Sequence, residues 1–214
     1  MFSNVPGPNE KLDLRIRRTR DRLGDALIEL VREKPFDAIT VQEVLARAEV
    51  GRSTFYAHFS DKEDLLWSDV DEFLASMASQ LTRDRDTSPR VAPVREFFAH
   101  VAGERELWEA LVRAGKLNDF LELAQRHFAR GIEARLTERS LARTLRADDR
   151  QAQANALAGS LLALLSWWLR EGTPGSAEHM DDLFHDIVRG LVRGGVDSAP
   201  APATRQAPRS LTAP

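Results

Sequence analysis

The 214-residue chain has no cysteine. Disulfides, thiol redox sensing, thiolate metal ligands and cysteine nucleophiles are therefore excluded. Nor does it contain a glycine-rich phosphate loop, a His-Glu-x-x-His pair or a nucleophile elbow around any serine. No strand-like alternation and no internal repeat appear. The N-terminus lacks an apolar signal core. The longest uncharged run, residues 151–169, is interrupted by Gln153, Asn155 and Ser160, and its apolar part falls short of the ~20 residues that span a bilayer. A cytoplasmic protein without membrane contact and without a cofactor is expected. A large excess of one charge is missing too: the formal charge is -3 and the isoelectric point about 6.0. Any affinity for nucleic acid has to come from a local patch. Arg15, Arg17, Arg18, Arg20 and Arg22 against Asp21 offer one, with a solvated helix face as the alternative.

What is present is helix. Ile16, Leu23, Leu27, Leu30 and Val31 share one face of a first long helix that begins between residues 9 and 13 and runs to about residue 33. Pro35 ends it, and Phe36 and Ile39 are placed to plug a small core. Thr40 and Glu43 have capping-box spacing, and Val41, Val44, Leu45 and Ala48 follow at helical spacing. Glu49, Val50 and Gly51 make a turn. Residues 52–59 then form a second short helix with Phe55 and Phe59 facing inward. Ser60 and Glu63 form another capping box, opening a helix expected to run from Lys62 to about Arg83. Two short helices joined by a tight turn make a helix-turn-helix, whose second helix fits a DNA major groove. Five further helices are expected over residues 93–102, 104–113, 116–139, 148–171 and from Ser176 to the Gly194-Gly195 pair. The fold class is all-α with about nine helices: a three-helix head with the helix-turn-helix, then a helical domain. Residues 1–8 read as a flexible arm, 9–66 as the head, 67–197 as the second domain, and 198–214, rich in Pro, Ala, Ser and Thr, as a disordered tail.

The stretch from Thr40 to Trp67 closely resembles the DNA-binding domain of the tetracycline-repressor (TetR) family. The resemblance rests on Thr40, Ala48 and Val50 of the turn, Ser53-Thr54-Phe55-Tyr56, His58-Phe59, Lys62-Glu63 and Leu65-Leu66. Glu49 stands where many members carry Gly, and Gly51 where many carry Ser. The resemblance implies a homodimeric transcriptional regulator, most simply a repressor that leaves a palindromic double-stranded DNA operator on binding a small-molecule effector. It also implies that Thr40 and Tyr56 contact phosphates, that Arg52, Ser53 and Thr54 lie nearest the bases, and that Lys62 holds a phosphate at the start of its helix. His58 is a further candidate on the same helix. Against these stand structural roles: Thr40 as a cap, Thr54 packed inward, His58 as a polar face residue.

The last two helices are the candidates for a dimer seam. Leu157, Leu161, Leu164, Leu165 and Trp168 offer more apolar surface than one partner helix covers, and Leu161, Leu165, Trp168, Phe184 and Ile187 are the expected interface; the alternative is a helix buried within one chain. The middle helices carry the family's effector region, with Trp108, Phe120 and His127 as pocket candidates and no charge cluster that selects a ligand. Two other classes compete. An α-helical enzyme could use His179, Asp181, Asp182, His185 and Asp186 as a metal site, but Met180, Leu183, Phe184 and Ile187 claim the buried face of that helix, so those polar groups are expected outside and no metal is assigned. An interaction adaptor would bind no DNA.

Overall fold

The computed structural model describes residues 8–138 and 146–197, and side chains over 15–138 and 146–190. Apart from Pro8, the expected arm lies outside the described residues, as does the expected tail over 198–214. The described residues form ten α-helices, one 3-10 turn and no strand. α1 spans Pro8–Glu33, opening on a proline whose missing N–H costs nothing at a helix start. The 3-10 turn Phe36–Ala38 leads to α2 (Val41–Ala48) and α3 (Arg52–Tyr56). α4 (Lys62–Ala78) and α5 (Gln80–Arg83) follow. The body continues with α6 (Val94–Gly103), α7 (Arg105–Arg113), α8 (Leu117–Glu138), α9 (Ala147–Arg170) and α10 (Ala177–Asp197).

Ten helices replace the expected nine because the helix from Lys62 breaks at Ser79. The Ser79 hydroxyl donates to the carbonyls of Ala75 and Ser76, at 2.8 and 3.2 Å. Such back-bonding competes with the regular ladder and bends helices. The cap of α4 also sits one residue later than the spacing implied. Asp61, not Ser60, is the N-cap, accepting the N–H groups of Glu63 and Asp64 at 2.8 Å each. Asp64, not Glu63, reaches back to the Ser60 N–H at 2.8 Å. A carboxylate outcompetes a hydroxyl as acceptor at the positive end of a helix.

One core runs through the molecule. In the head, Leu23, Leu27, Phe36, Ile39, Val44, Phe55 and Phe59 are buried, and Leu65 and Leu66 bring the start of α4 into the same cluster. In the body, α8 lies between α4 and α9, and α10 packs on α6. Phe97 meets Phe128 at 4.7 Å between ring centres, and Phe98 meets Trp168 at 5.0 Å.

That packing corrects the expected seam. Leu161, Leu165, Trp168 and Phe184 are fully buried inside the single chain. The Trp168 indole N–H even donates to the Pro174 carbonyl at 3.1 Å. Only Ile187 of the expected set is exposed, joined by Leu183 and Trp167. α9 is as apolar as its composition implies, but its most apolar side faces α8 and α6 residues of its own chain.

The metal candidates also divide differently. Asp181 and His185 are drawn inward, whereas His179, Asp182 and Asp186 are exposed. His185 accepts the Val91 N–H on Nε2 at 3.1 Å and donates from Nδ1 to the Asp181 carbonyl at 2.8 Å. Asp181 accepts from Arg90 and from the Arg95 N–H at 3.1 Å, capping α6 from α10. These groups bind the segment between α5 and α6, and among the described residues no cluster of ligands suits a metal. Arg135, absent from the sequence-based core, is buried and donates to the carbonyls of Asp86, Ser88 and Arg90 in that segment.

α4 and α8 cross in backbone contact. A Cβ on Gly131 would stand 2.3 Å from the Ala78 carbonyl oxygen. Gly131→Ala therefore forces the helices apart and should cost about 1–3 kcal/mol, as overpacking does. Gly103→Ala, where a Cβ meets nothing within 4 Å, should be neutral or slightly stabilising. Urea midpoints of the two variants check this; equal values would show that the crossing has slack.

Candidate nucleic-acid interface

The head presents α3 outward. Five residues are too few for a stable isolated helix, so tertiary anchors hold it. Phe55 is fully buried and packs on Phe59 at 5.7 Å. The expected two-turn helix over 52–59 is shorter, but the N–H groups of His58 and Phe59 still bond the Phe55 carbonyl at 2.9 Å. Gly51 is the N-cap with no side-chain bond. With Phe55 inward, Arg52, Ser53, Thr54 and Tyr56 are all exposed. Thr54 thus does not pack inward. Arg52 sits over the Tyr56 ring at 5.7 Å, one helical turn away, so the ring is a shelf for the guanidinium. His58 is half-buried beside Phe59 and stands apart from that face.

The turn before α3 explains the glycine preference noted above. Glu49 adopts φ 51° and ψ 44°, left-handed backbone that costs a residue with a Cβ about 1–2 kcal/mol. Its N–H still reaches the Ala46 carbonyl and the Val50 N–H reaches that of Leu45, so the turn forms without glycine. Arg22 helps by donating to the carbonyls of Ala48 and Glu49.

Two candidate phosphate contacts are engaged within the protein. The Thr40 hydroxyl donates to the Glu43 carboxylate at 2.8 Å and accepts the Glu43 N–H at 3.3 Å; the Thr40 N–H bonds the same carboxylate at 2.9 Å. The capping box is complete, and the hydroxyl hydrogen is already placed. The Lys34 ammonium and the Thr40 donors hold the Glu43 carboxyl at about 2. Lys62 is more decisive. Its ammonium donates to the carbonyls of Phe36, Asp37 and Ile39, at 2.8, 3.2 and 2.7 Å. An ammonium has three donors, and all three are used, with the Phe36 ring 4.7 Å away. Lys62 is a staple between α4 and the 3-10 turn rather than a free phosphate ligand. The basic patch on α1 also shrinks. Arg15, Arg17 and Arg18 are exposed, but Arg20 bonds the Ser68 hydroxyl at 2.5 Å and Arg22 serves the turn.

The pocket candidates do not converge. Trp108 and Phe120 pack edge to face at 4.4 Å in the core. His127 instead lines a groove between α4, α5 and α8, to which neither aromatic contributes.

This geometry, a trihelical head with an outward polar helix on an all-helical body, defines a helix-turn-helix protein. Residues 23–67 match the family described as "Bacterial regulatory proteins, tetR family". Over these residues the head is similar to the members of that family. The HTH-type transcriptional regulator YxbF of Bacillus subtilis, itself uncharacterized, is 34% identical over 82 residues. That match covers 36% of this chain and only 22% of the relative. A TetR-family transcriptional regulator from Syntrophomonas wolfei has a similar fold, with TM-score 0.59 and 19% identity over 83% of this chain and 96% of that one. The fatty acid degradation regulator FadR of Bacillus halodurans resembles it at TM-score 0.56 and 18% identity, covering 82% and 98% of the two chains.

Asp69 lies where α4 passes α1. A Cβ on Gly24 would be 1.9 Å from its carboxyl, so glycine is what lets the two approach. Burial raises the Asp69 carboxyl to about 7; Arg20 opposes this, while Glu72, Asp21 and Asp25 add repulsion. The folded chain thus holds this proton more tightly than the unfolded chain. The resulting stability is full below about pH 4, is lost as pH rises to about 7, and changes no further above that. Asp69→Asn should remove the loss: wild type and variant should diverge in thermal midpoint between pH 4 and 7, the variant being favoured at the upper end. Parallel pH profiles would contradict the assignment.

Proposed function

We propose that the protein is a DNA-binding transcriptional regulator that acts as a homodimer on a palindromic operator and releases it when a small-molecule effector binds. The observation that carries this reading is the α3 face: Arg52, Ser53, Thr54 and Tyr56 stand exposed on a helix pinned from behind by Phe55. Guanidinium and hydroxyl groups suit base edges and phosphates alike. Lys62 and Thr40 then act by shaping the head, and the exposed arginines of α1 supply non-specific attraction. No described helix is long and apolar enough to cross a membrane, which is compatible with a cytoplasmic regulator.

Selection of duplexes from a random library at two salt concentrations tests the reading. A palindrome should be enriched, and binding should weaken steeply with salt; no enrichment at either concentration would sink it. Arg52→Ala should cost roughly 1–3 kcal/mol at the selected site and much less on random duplex. Tyr56→Phe, which keeps the shelf and loses the hydroxyl, should weaken both about equally. Equal loss on both duplexes for Arg52→Ala would reassign it to phosphate.

Dimerisation is supported by the apolar groups left outside, Trp167 on α9 and Leu183 and Ile187 on α10. Symmetric partners double the head and match a two-fold operator. Ile187→Asp should give the monomer mass by light scattering with the helical spectrum retained, whereas Trp168→Glu should unfold the body. A dimer mass for Ile187→Asp would remove this surface from the seam.

A further inference from the structure

α4 carries the head and also crosses α8, and beside that crossing lies a groove of about 270 Å³. Its lining is mostly apolar and comes from both sides of the crossing: Ala75 and Ala78 from α4, Gly131 and Ala134 from α8. Alanines and a glycine leave a depression because larger side chains are missing from the place where the two backbones touch. At its rim stand His127 and Arg130. His127 is more than nine-tenths buried, with Nδ1 3.1 Å from an Arg130 Nη2 and Nε2 2.8 Å from an Asp71 oxygen. A guanidinium only donates, so Nδ1 accepts, and Nε2 carries the hydrogen towards Asp71. The relay fixes the orientation of Arg130. Arg130 itself is exposed and pairs with no carboxylate among the described residues. A planar, orientated guanidinium at the edge of an apolar groove is suited to a carboxylate with an apolar body. At this volume, below the ~300–1,000 Å³ of drug-sized sites, the molecule has to be small.

We propose that this groove is the effector site and that it takes a small organic acid, the carboxylate on Arg130 and the apolar part across Ala75, Ala78 and Ala134. The proposal rests on the ligand-responsive reading above and names the class of ligand. A molecule seated here touches α8 and the head-bearing α4 together. Because Gly131 and Ala78 leave no slack, filling the groove favours one disposition of α4 over others. That differential affinity is what a ligand needs to shift the head.

Titration calorimetry of the full chain with hexanoate and benzoate, against hexanamide and benzamide, tests the site without DNA. The acids should bind saturably, the amides at least about tenfold more weakly, and Arg130→Gln should weaken the acids by at least about tenfold while leaving the amides unchanged. Circular dichroism confirms the fold of the variant. Absence of saturable heat with either acid up to about 10 mM, equal binding of acid and amide, or full binding by Arg130→Gln would each overturn the proposal. Anisotropy on the selected duplex separates this from the wider reading. Duplex binding with no acid binding overturns the site alone, whereas Arg130-dependent acid binding without any duplex binding upholds the site and removes the regulator.

Discussion

The arrangement depends on α4 being held at both of its ends. At its start, the Lys62 ammonium is saturated by the carbonyls of Phe36, Asp37 and Ile39, while Leu65 and Leu66 enter the head core. Hydrogen bonds to a charged donor contribute about 1.5–3 kcal/mol, and here they also satisfy the carbonyls of Asp37 and Ile39, while the Phe36 carbonyl accepts the Ile39 N–H as well. At its other end, Ala78 lies against Gly131 with no room for a methyl group. The helix is therefore a strut of fixed length between a recognition surface and a body. Two ion pairs reinforce the joint: Lys116 with Glu63 at 3.0 Å, beside the Phe36 ring that Lys62 also faces, and Arg32 with Glu104 at 2.5 Å. Such partly exposed pairs add little energy individually. Their value is directional, since both join the head to the segments around α7.

The body is specified by a different kind of contact. Arg90 is shared between Glu96 and Asp181, His185 takes the Val91 N–H, and Arg135 closes three carbonyls. Together they tie the polar stretch between α5 and α6 down onto α8 and α10. Burial pushes the Glu96 and Asp181 carboxyls up, yet both are held below the usual carboxylate range, Glu96 by Arg90 and Asp181 by His185 first and Arg90 second. Desolvation offsets much of the Coulomb gain in such networks. Removing one member, however, strands the others, so the network selects one register of α10 on α6 even if it adds little net stability.

Much of this was legible because it is local. The Thr40–Glu43 box, the turn at Glu49 and the inward pair Phe55 and Phe59 are all determined within a few residues, and the structure agrees at each. Legibility fails where a choice depends on distant partners. α9 is apolar almost all round, so its composition cannot say which side faces α8; Leu161, Leu165 and Trp168 are core, and Trp167 is outside. Lys62 has the position of an anion ligand, but its occupants come from residues 36–39. Asp181 and His185 lie inward because the Arg90 guanidinium and the Val91 N–H, some ninety positions away in the chain, bond them in turn. Arg135 did leave a trace: it follows Phe128 and Ile132 at seven and three positions, on the buried face. A cation on an apolar stripe signals a buried partner, here a set of carbonyls.

These two levels meet at the α4–α5 break. Had the helix run unbroken to Arg83, its last turns would have stayed locked in the α8 crossing. The Ser79 hydroxyl, turned onto the carbonyls of Ala75 and Ser76, ends the strut immediately after its contact with Gly131, and α5 sets off separately along α8. The strut thus has one end fixed in the head and the other at its crossing with α8, where α5 takes over the packing on α8. The Lys62 staple ties the start of the strut to the 3-10 turn of the head. Head and strut form one piece, since Phe55 and Phe59 behind α3 share the buried cluster that Leu65 and Leu66 of α4 enter.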